Sequence, residues 1–213
     1  MANAYVNVNF YGHQRGELSG TPDVWKGFAS LLQLRRANIL NVVGYVSYAS
    51  IPVTCDVYNY NAVLGPSNEA GCKQIAATIA HNTTVPNPRY LITGYSSGGT
   101  SALYFARAIA VMPNTEIGYI GLADAAFYPK ESDGLMKMPL VSAKYRKNYY
   151  QTKGNAPDVR EIHGRIEVDF NNYDLNPWVT TTSSAEAHDQ AVVLGNYYMI
   201  NDVFWCLQNY QRQ

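Results

Sequence analysis

The segment "RYLITGYSSGGTSALYFARAIA", at positions 89–110, decides the fold of this chain. It begins with a short apolar run that is typical of a buried strand, and it ends with apolar residues at helical spacing before Pro113. Between these runs, residues 94–99 form a turn rich in glycine and serine. A strand that leads directly into a helix predicts a parallel sheet covered by helices. The turn is a candidate for a simple tight turn, a phosphate loop or the support of a nucleophile.

The same alternation of strand and helix runs along most of the chain. The patterns predict strands at 4–10, 37–49, 89–95, 116–124 and 159–170, and helices at 21–37, 67–80, 97–112 and from Ser183 onward. The fold class that follows is α/β: a three-layer α/β/α sandwich with a mostly parallel sheet of about five or six strands. The chain shows neither repeats nor linkers, which indicates one domain over residues 1–213.

Two connecting segments stand out from this alternation. A stretch rich in Tyr and Asn, up to Ser67, is interpreted as a loop. Residues 125–158 form a long connection, which we expect to be a lid or insertion over the functional site. Within it, the basic segment "SAKYRKNYYQTKG" at 142–154 is predicted to be a helix.

Composition excludes several classes of partner. The 213 residues include 16 Lys and Arg against 16 Asp and Glu, so no net charge draws the chain to nucleic acid or to an anionic membrane. The three cysteines, Cys55, Cys72 and Cys206, match no metal spacing. An oxidising compartment would permit a Cys55–Cys72 disulfide, and three buried thiols are the alternative that we prefer.

The N-terminal residues "MANAYVNVNF" lack the basic region and apolar core of a signal peptide. We therefore favour a cytoplasmic location, with secretion as the alternative if a leader has been removed. Apolar runs in the sequence are also too short for a membrane span, which needs about 20 residues.

The turn fits the Gly-x-Ser-x-Gly nucleophile elbow, as Gly94, Ser96 and Gly98, between a predicted strand and a predicted helix. The chemistry requires a hydroxyl raised above the sheet on a sharp turn, with glycines that let strand and helix approach. A phosphate loop would end in Gly-Lys-Ser/Thr, and a dinucleotide site would carry G-x-G-x-x-G; the turn has neither. A purely structural turn is the remaining alternative.

With this motif, "YLITGYSSGGTSALYFA", the sequence resembles the α/β-hydrolase family, in particular its small lipases and esterases. The resemblance implies a catalytic order of serine, then Asp or Glu, then histidine. The family's sheet has up to eight strands, so a chain with about five is expected to be a minimal member or a fragment of a longer protein.

For the acid, Asp124 comes at the end of the predicted strand "IGYIGLAD", where ligand sites of open α/β sheets lie. It is similar to the acid of the "LDP" type in lipases, with Ala125 in place of the proline. Many hydrolases place the acid one strand later, so Asp169, Asp174 and Asp158 are rivals. A turn or capping aspartate is the structural alternative for Asp124.

For the base, His188 follows both Ser96 and Asp124 and lies at the start of the last predicted helix, as the resemblance implies. A capping or exposed histidine is its structural alternative. The other histidines fit less well, because His81 ends a helix, His163 lies inside a predicted strand and His13 precedes the serine.

The resemblance also implies an oxyanion hole made of two backbone N–H groups. Ser97, directly after the elbow serine, supplies the first. The second is expected from Tyr11 in the loop after the first strand, where the sequence "NFYGH" departs from the His-Gly of many lipases. Gly12, His13 and Tyr95 are expected to bind substrate at the same place.

These residues predict a serine hydrolase that cleaves an ester or thioester through an acyl-enzyme, without a metal or an organic cofactor. Its partner would be a small-molecule or acyl-ester substrate. Two alternatives remain at this point: a non-catalytic binding domain on the same fold, and a hydrolase of glycan-linked or polymer esters whose tyrosines stack on sugars.

Overall fold

The structure is a computed structural model that describes residues 5–10, 12, 38–42, 45–49, 57–62, 69–83, 87–127, 134–135, 143–153, 164–166, 169–181 and 183–209. The strands are β1 (Tyr5–Phe10), β2 (Asn38–Val42), β3 (Tyr45–Ala49), β4 (Val57–Ala62), β5 (Arg89–Tyr95), β6 (Glu116–Ala123), β7 (Ala143–Tyr150) and β8 (Asn171–Asp174). The helices are α1 (Glu69–Asn82), α2 (Ser97–Ala110), α3 (Ser184–Asn209) and a short 3₁₀ turn at Asn176–Trp178.

In the described part of the chain, the main sheet has six strands in the order β4-β1-β5-β6-β7-β8. Every neighbouring pair in this sheet is parallel. The predicted α/β class with a mostly parallel sheet is therefore confirmed. Because all strands point the same way, their carboxyl ends lie along one edge, and Tyr95 pairs with Ala123, which pairs in turn with Tyr149.

Two hydrophobic clusters lie on the two faces of the sheet. Alternate residues of one strand divide between them: Tyr90 and Ile92 belong to the cluster that contains α1 and α2, whereas Leu91 and Tyr95 belong to the cluster that contains α3. This alternation follows from the period of two in a strand. Most of α2 is buried, and its first turns are built from small residues that allow close packing on the sheet.

A network of polar side chains fixes α3 to the sheet. The hydroxyls of Tyr119 and Tyr149 donate to Oδ2 of Asp202, at 2.8 and 2.6 Å. Lys147 Nζ donates to Oδ1 of the same carboxylate at 2.6 Å. Since β6 and β7 supply these donors and α3 carries Asp202, the network ties the helix to two strands at once.

The apolar run at 37–49, predicted as one strand, is two. β2 and β3 pair antiparallel as a separate hairpin in the described part of the chain. A continuous apolar run does not distinguish one long strand from two that are joined by a short turn. The strand that pairs with β1 on this side is β4. The sequence predicted this segment as a loop because its tyrosines alternate with asparagines.

Two further predictions are wrong. The basic segment at 142–154 is not a helix, because residues 143–150 form β7 inside the sheet. The described residues of the predicted strand 159–170 are irregular, and β8 follows them. The predicted helix at 21–37 lies outside the described residues, as does most of the predicted lid at 125–158, so the lid stays a prediction.

Cys72 and Cys206 are both buried. Burial raises the pKa of the Cys72 thiol from 9.0 to about 12, against a smaller lowering by its hydrogen bond with Ser101. Burial, with the charge of Asp202, raises the pKa of Cys206 to about 12 as well. Cys55 lies outside the described residues, so the Cys55–Cys72 pairing stays a prediction.

Candidate functional site

Ser96 occupies the turn between β5 and α2. Its backbone has φ 53° and ψ −134°, a region that L-residues with a side chain rarely adopt. Such a conformation costs about 1–3 kcal/mol and persists only where the surrounding structure enforces it. Gly94 is part of that enforcement, since a Cβ at this position would lie 2.3 Å from the carbonyl oxygen of Gly98. The strand and the helix therefore meet more closely than any other residue would allow.

Backbone hydrogen bonds hold the turn from both sides. The Ser96 N–H donates to the carbonyl of Ala123 at 3.1 Å. The Ser96 carbonyl accepts the N–H of Gly99 and of Ala126, each at 2.9 Å. The turn at Ser96 and the end of β6 are thus joined by their main chains.

A chain of side-chain hydrogen bonds links Asp124, His188 and Ser96. His188 Nδ1 lies 2.6 Å from Asp124 Oδ2, and His188 Nε2 lies 2.9 Å from Ser96 Oγ. Because an ionised carboxylate only accepts, Nδ1 carries the ring proton and Nε2 is left to accept the hydroxyl proton of the serine. The structure therefore brings together the three residues that the sequence proposed as acid, base and nucleophile.

The carboxylate of Asp124 is fully buried. A buried charge is costly unless donors surround it. Besides the His188 ring, it accepts the backbone N–H of Gln151 at Oδ1, 3.3 Å, and the side-chain amide of Gln151 at Oδ2, 3.0 Å. The backbone N–H of Asp124 itself donates to the Tyr149 carbonyl at 2.6 Å, which fixes the residue to the end of β7.

His188 lies in the second turn of α3, where it is partly exposed. The helix start is held by Thr181, whose hydroxyl donates to Glu186 Oε2 at 2.7 Å and accepts the Ser183 N–H at 3.1 Å. Glu186, in the first turn of α3, therefore pairs with a threonine that precedes the helix. Two turns after His188, Gly195 lies against β6, where a Cβ would be 2.5 Å from the Cβ of Ala123.

The residues expected around the oxyanion are only partly described. Ser97 is the first residue of α2, so it lies at the positive end of the helix dipole. Gly12 lies directly beside Ser96, since a Cβ there would be 2.5 Å from the Ser96 Cβ. Tyr95 is buried in the cluster of α3. Tyr11 and His13 lie outside the described residues.

The rival acids have other partners. Asp169 forms an ion pair with Arg146 at 3.7 Å, and Asp174 Oδ1 accepts the backbone N–H of Asn176 at 2.8 Å. His81 is exposed at the end of α1. Asp158 and His163 lie outside the described residues.

Sequence reasoning missed Gln151. It was assigned to a helix over the site, whereas it follows β7 at the edge where Asp124 and Ser96 lie. Tyr145, Lys147 and Tyr149 lie on one face of β7 at a spacing of two residues, and this spacing was the available signal of a strand. The basic side chains among the tyrosines obscured it.

A separate cavity of about 430 Å³ lies between α3 and the strands β6 and β7. Its described lining consists of Tyr119, Tyr145, Lys147, Asn201, Asp202, Trp205 and Cys206. These residues surround the polar network that anchors α3, and the cavity is distinct from the group around Ser96.

Among the described residues, no three or more His, Cys, Asp or Glu side chains are arranged to hold a metal ion. The helices of the described part are also too short or too polar to cross a membrane.

Comparison with models of known protein families gives no match, and comparison with curated proteins gives none either.

Proposed function

We propose that the chain is a serine hydrolase that cleaves a carboxylic ester or thioester through an acyl-enzyme intermediate. The observation that supports the proposal is the continuous hydrogen-bonded relay from Asp124 through His188 to Ser96, with heavy-atom distances of 2.6 and 2.9 Å. Both distances lie within the reach required of a nucleophile, its base and the group that orients the base.

The acylation step follows from these positions. Ser96 Oγ attacks the carbonyl carbon of the ester, and its proton passes to Nε2 of His188. Asp124 holds the ring so that Nε2 is the accepting nitrogen, and it stabilises the imidazolium that forms. The C–O or C–S bond then breaks, and the leaving alcohol or thiol takes the proton from His188.

Deacylation repeats the sequence with water as nucleophile. His188 removes a proton from the water, the hydroxide attacks the acyl carbon, and Ser96 recovers its proton as the acid leaves. In this proposal the negative charge of each tetrahedral intermediate falls near the first turn of α2, at the positive end of the helix dipole, and the N–H of Ser97 donates to it. Tyr11 supplies the second donor in this proposal.

The fold type belongs to the same proposal. A sheet with α1 and α2 in one cluster and α3 in the other is consistent with the three-layer α/β/α arrangement of a compact α/β hydrolase. In this scheme the protein residues perform every proton transfer, and the reaction uses neither a metal nor an organic cofactor.

Ser96→Ala tests the function directly. We expect the variant to lose covalent labelling by a fluorophosphonate and to lose hydrolysis of a short p-nitrophenyl ester, because both reactions require the Ser96 hydroxyl. Labelling is measured by mass spectrometry of the intact protein and of the peptide that contains residue 96.

Ser101→Ala is the matched control, because Ser101 lies on α2 and forms its hydrogen bond with Cys72. It should label like the unmodified protein. Labelling of Ser96→Ala at the full rate would refute the assignment of the nucleophile. Failure of the unmodified, folded protein to label at any pH would favour the non-catalytic binding domain.

A further inference from the structure

We propose that Gln151 is a positioning residue that keeps the carboxylate of Asp124 directed at His188. This inference rests on the proposed function, since it assigns a role within the same relay. Gln151 donates two hydrogen bonds to Asp124, so it acts on the reaction through the acid.

The geometry around Asp124 carries the inference. Gln151 approaches the carboxylate with two donors: its backbone N–H lies 3.3 Å from Oδ1, and its side-chain Nε2 lies 3.0 Å from Oδ2. Oδ2 is also the atom that accepts His188 Nδ1–H at 2.6 Å. The side chain of Gln151 therefore shares an oxygen with the catalytic ring and limits the directions in which that carboxylate can rotate.

Burial makes this contact more important than its counterpart on a surface. Asp124 and Gln151 both have 0% of their surface exposed. Hydrogen bonds to a carboxylate are stronger than those between neutral groups, and leaving a buried charge with fewer donors is costly. A buried glutamine amide that did not donate to the carboxylate would itself need another partner.

The structure also explains why this residue can reach the acid. β6 and β7 are parallel neighbours, and Ala123 pairs with Tyr149 in the register of the sheet. The Asp124 N–H donates to the Tyr149 carbonyl at 2.6 Å, so the two strands leave the sheet side by side. Asp124 then turns with φ 41°, and its carboxylate faces the first residue after β7.

The expected consequence is a change in pH dependence. Hydrogen bonds to an anion favour its ionised form, so loss of the Gln151 amide makes the Asp124–His188 pair hold its proton more tightly. The form of the His188 ring that can accept the Ser96 proton is then present only at higher pH. The acidic limb of the pH profile should move to higher pH.

Other charged and titratable groups on the neighbouring segments have partners of their own. Lys153 donates to the Val179 carbonyl, Glu186 pairs with Thr181, and the Tyr149 hydroxyl donates to Asp202. Asp189 follows His188 on α3 and is exposed. Because these groups are the same in every variant below, a difference in the pH midpoint reports on position 151.

The test measures the rate of fluorophosphonate labelling of Ser96 against pH in the whole protein. In Gln151→Met the side chain keeps its length and loses its donor, and Gln151→Asn keeps an amide that is one methylene too short. Both variants should label about 10- to 100-fold more slowly near neutral pH, the range found for partners that orient a histidine in metal sites. Both should also show the upward shift of the midpoint.

Asn148→Leu is the matched control for a lost buried amide, because Asn148 lies on β7, the strand that Gln151 follows. Asn148 Nδ2 donates to the Gly164 carbonyl and to Asn172 Oδ1, each at 2.9 Å. This variant should be less stable and keep the original midpoint. Circular dichroism and thermal unfolding confirm that each variant is folded at the temperature of the assay, and Gln151→Asn is the milder change if Gln151→Met unfolds.

The outcomes separate the two proposals. An upward shift in both Gln151 variants, with Asn148→Leu unshifted, supports the positioning role. An unshifted midpoint in Gln151→Met, or the same shift in all three variants, overturns that role while the proposed function stands. If the unmodified protein does not label at all, the proposed function itself fails.

Discussion

At the scale of single residues, the most unusual backbone in the described site belongs to Ser96. Its φ of 53° and ψ of −134° place a residue with a side chain in a region that glycine adopts far more easily. The contacts of Gly94 and the hydrogen bonds to Ala123 and Ala126 hold it there. On the proposed function, this strained backbone lowers the stability of the fold and presents the Ser96 hydroxyl for the reaction.

Ser96→Gly measures that strain. Relief of the backbone should stabilise the fold by about 1–3 kcal/mol, and the greater freedom of glycine in the unfolded chain should offset about 0.4–1 kcal/mol of it. We therefore expect Ser96→Gly to be more stable than Ser96→Ala in urea unfolding, although both lack the hydroxyl. A glycine variant that is equal to or less stable than the alanine variant would show that the turn is unstrained.

At the scale of elements, the site depends on how closely α3 approaches β6. At Gly195 the helix and the strand come close together, since the absent side chain leaves room for Ala123. His188 lies two turns earlier on the same helix, so the position of the ring follows the position of this contact. The Asp202 network secures the helix further along its length.

Gly195→Ala separates helix propensity from packing. Alanine should favour the helix by about 1 kcal/mol, whereas a methyl group 2.5 Å from the Ala123 Cβ costs about 1–3 kcal/mol unless the helix moves away. We expect unchanged or lower stability and a loss of turnover of up to about 100-fold, because a shift of about 1 Å in a catalytic group has that effect.

Val193→Ala is the control for this experiment, because Val193 is 64% exposed on the same helix. It raises helix propensity without a clash and should leave ester hydrolysis unchanged. Equal activity of Gly195→Ala and the unmodified protein would show that the close contact does not position His188.

At the scale of the whole molecule, four buried ionisable groups link stability to alkaline pH. Burial raises the pKa of Cys72 and Cys206 to about 12. Burial, and after it the neighbouring Asp202, raises the pKa of Tyr119 and Tyr149 well above 10.0. In each case the folded protein keeps a proton that the unfolded chain releases, so the stabilisation is complete below the unfolded pKa and is lost as the pH rises.

We therefore expect the free energy of unfolding to fall above about pH 9 and to fall more steeply above about pH 10, with each group contributing about 1.4 kcal/mol per pH unit. Urea unfolding between about pH 8 and about pH 11 measures this slope. Tyr149→Phe removes one phenol, so the variant should start less stable and lose less on going to high pH. An equal slope in both proteins would contradict the linkage.

The α/β class, the elbow and the three relay residues were predictable because each depends on a local pattern. Ser96, Asp124 and His188 all lie where an apolar strand or a periodic helix begins or ends. β4 and β7 were missed because Asn and Lys interrupt their apolar residues, and the carboxylate that pairs with Lys147 of β7 lies far away in sequence, on α3. Gln151 could not be assigned, since its contact depends on the register between β6 and β7.

The relay joins parts of the chain that are made at very different times. Ser96 and Asp124 are separated from His188 by 92 and 64 residues. Domains generally fold as units once their chain is complete, with the N-terminal part emerging from the ribosome first. On the proposed function, a nascent chain that ends before α3 carries a nucleophile and an acid but lacks a base. The ability to form an acyl-enzyme therefore arises only when the last helix docks, and a covalent probe would count completed molecules in a mixture of growing chains.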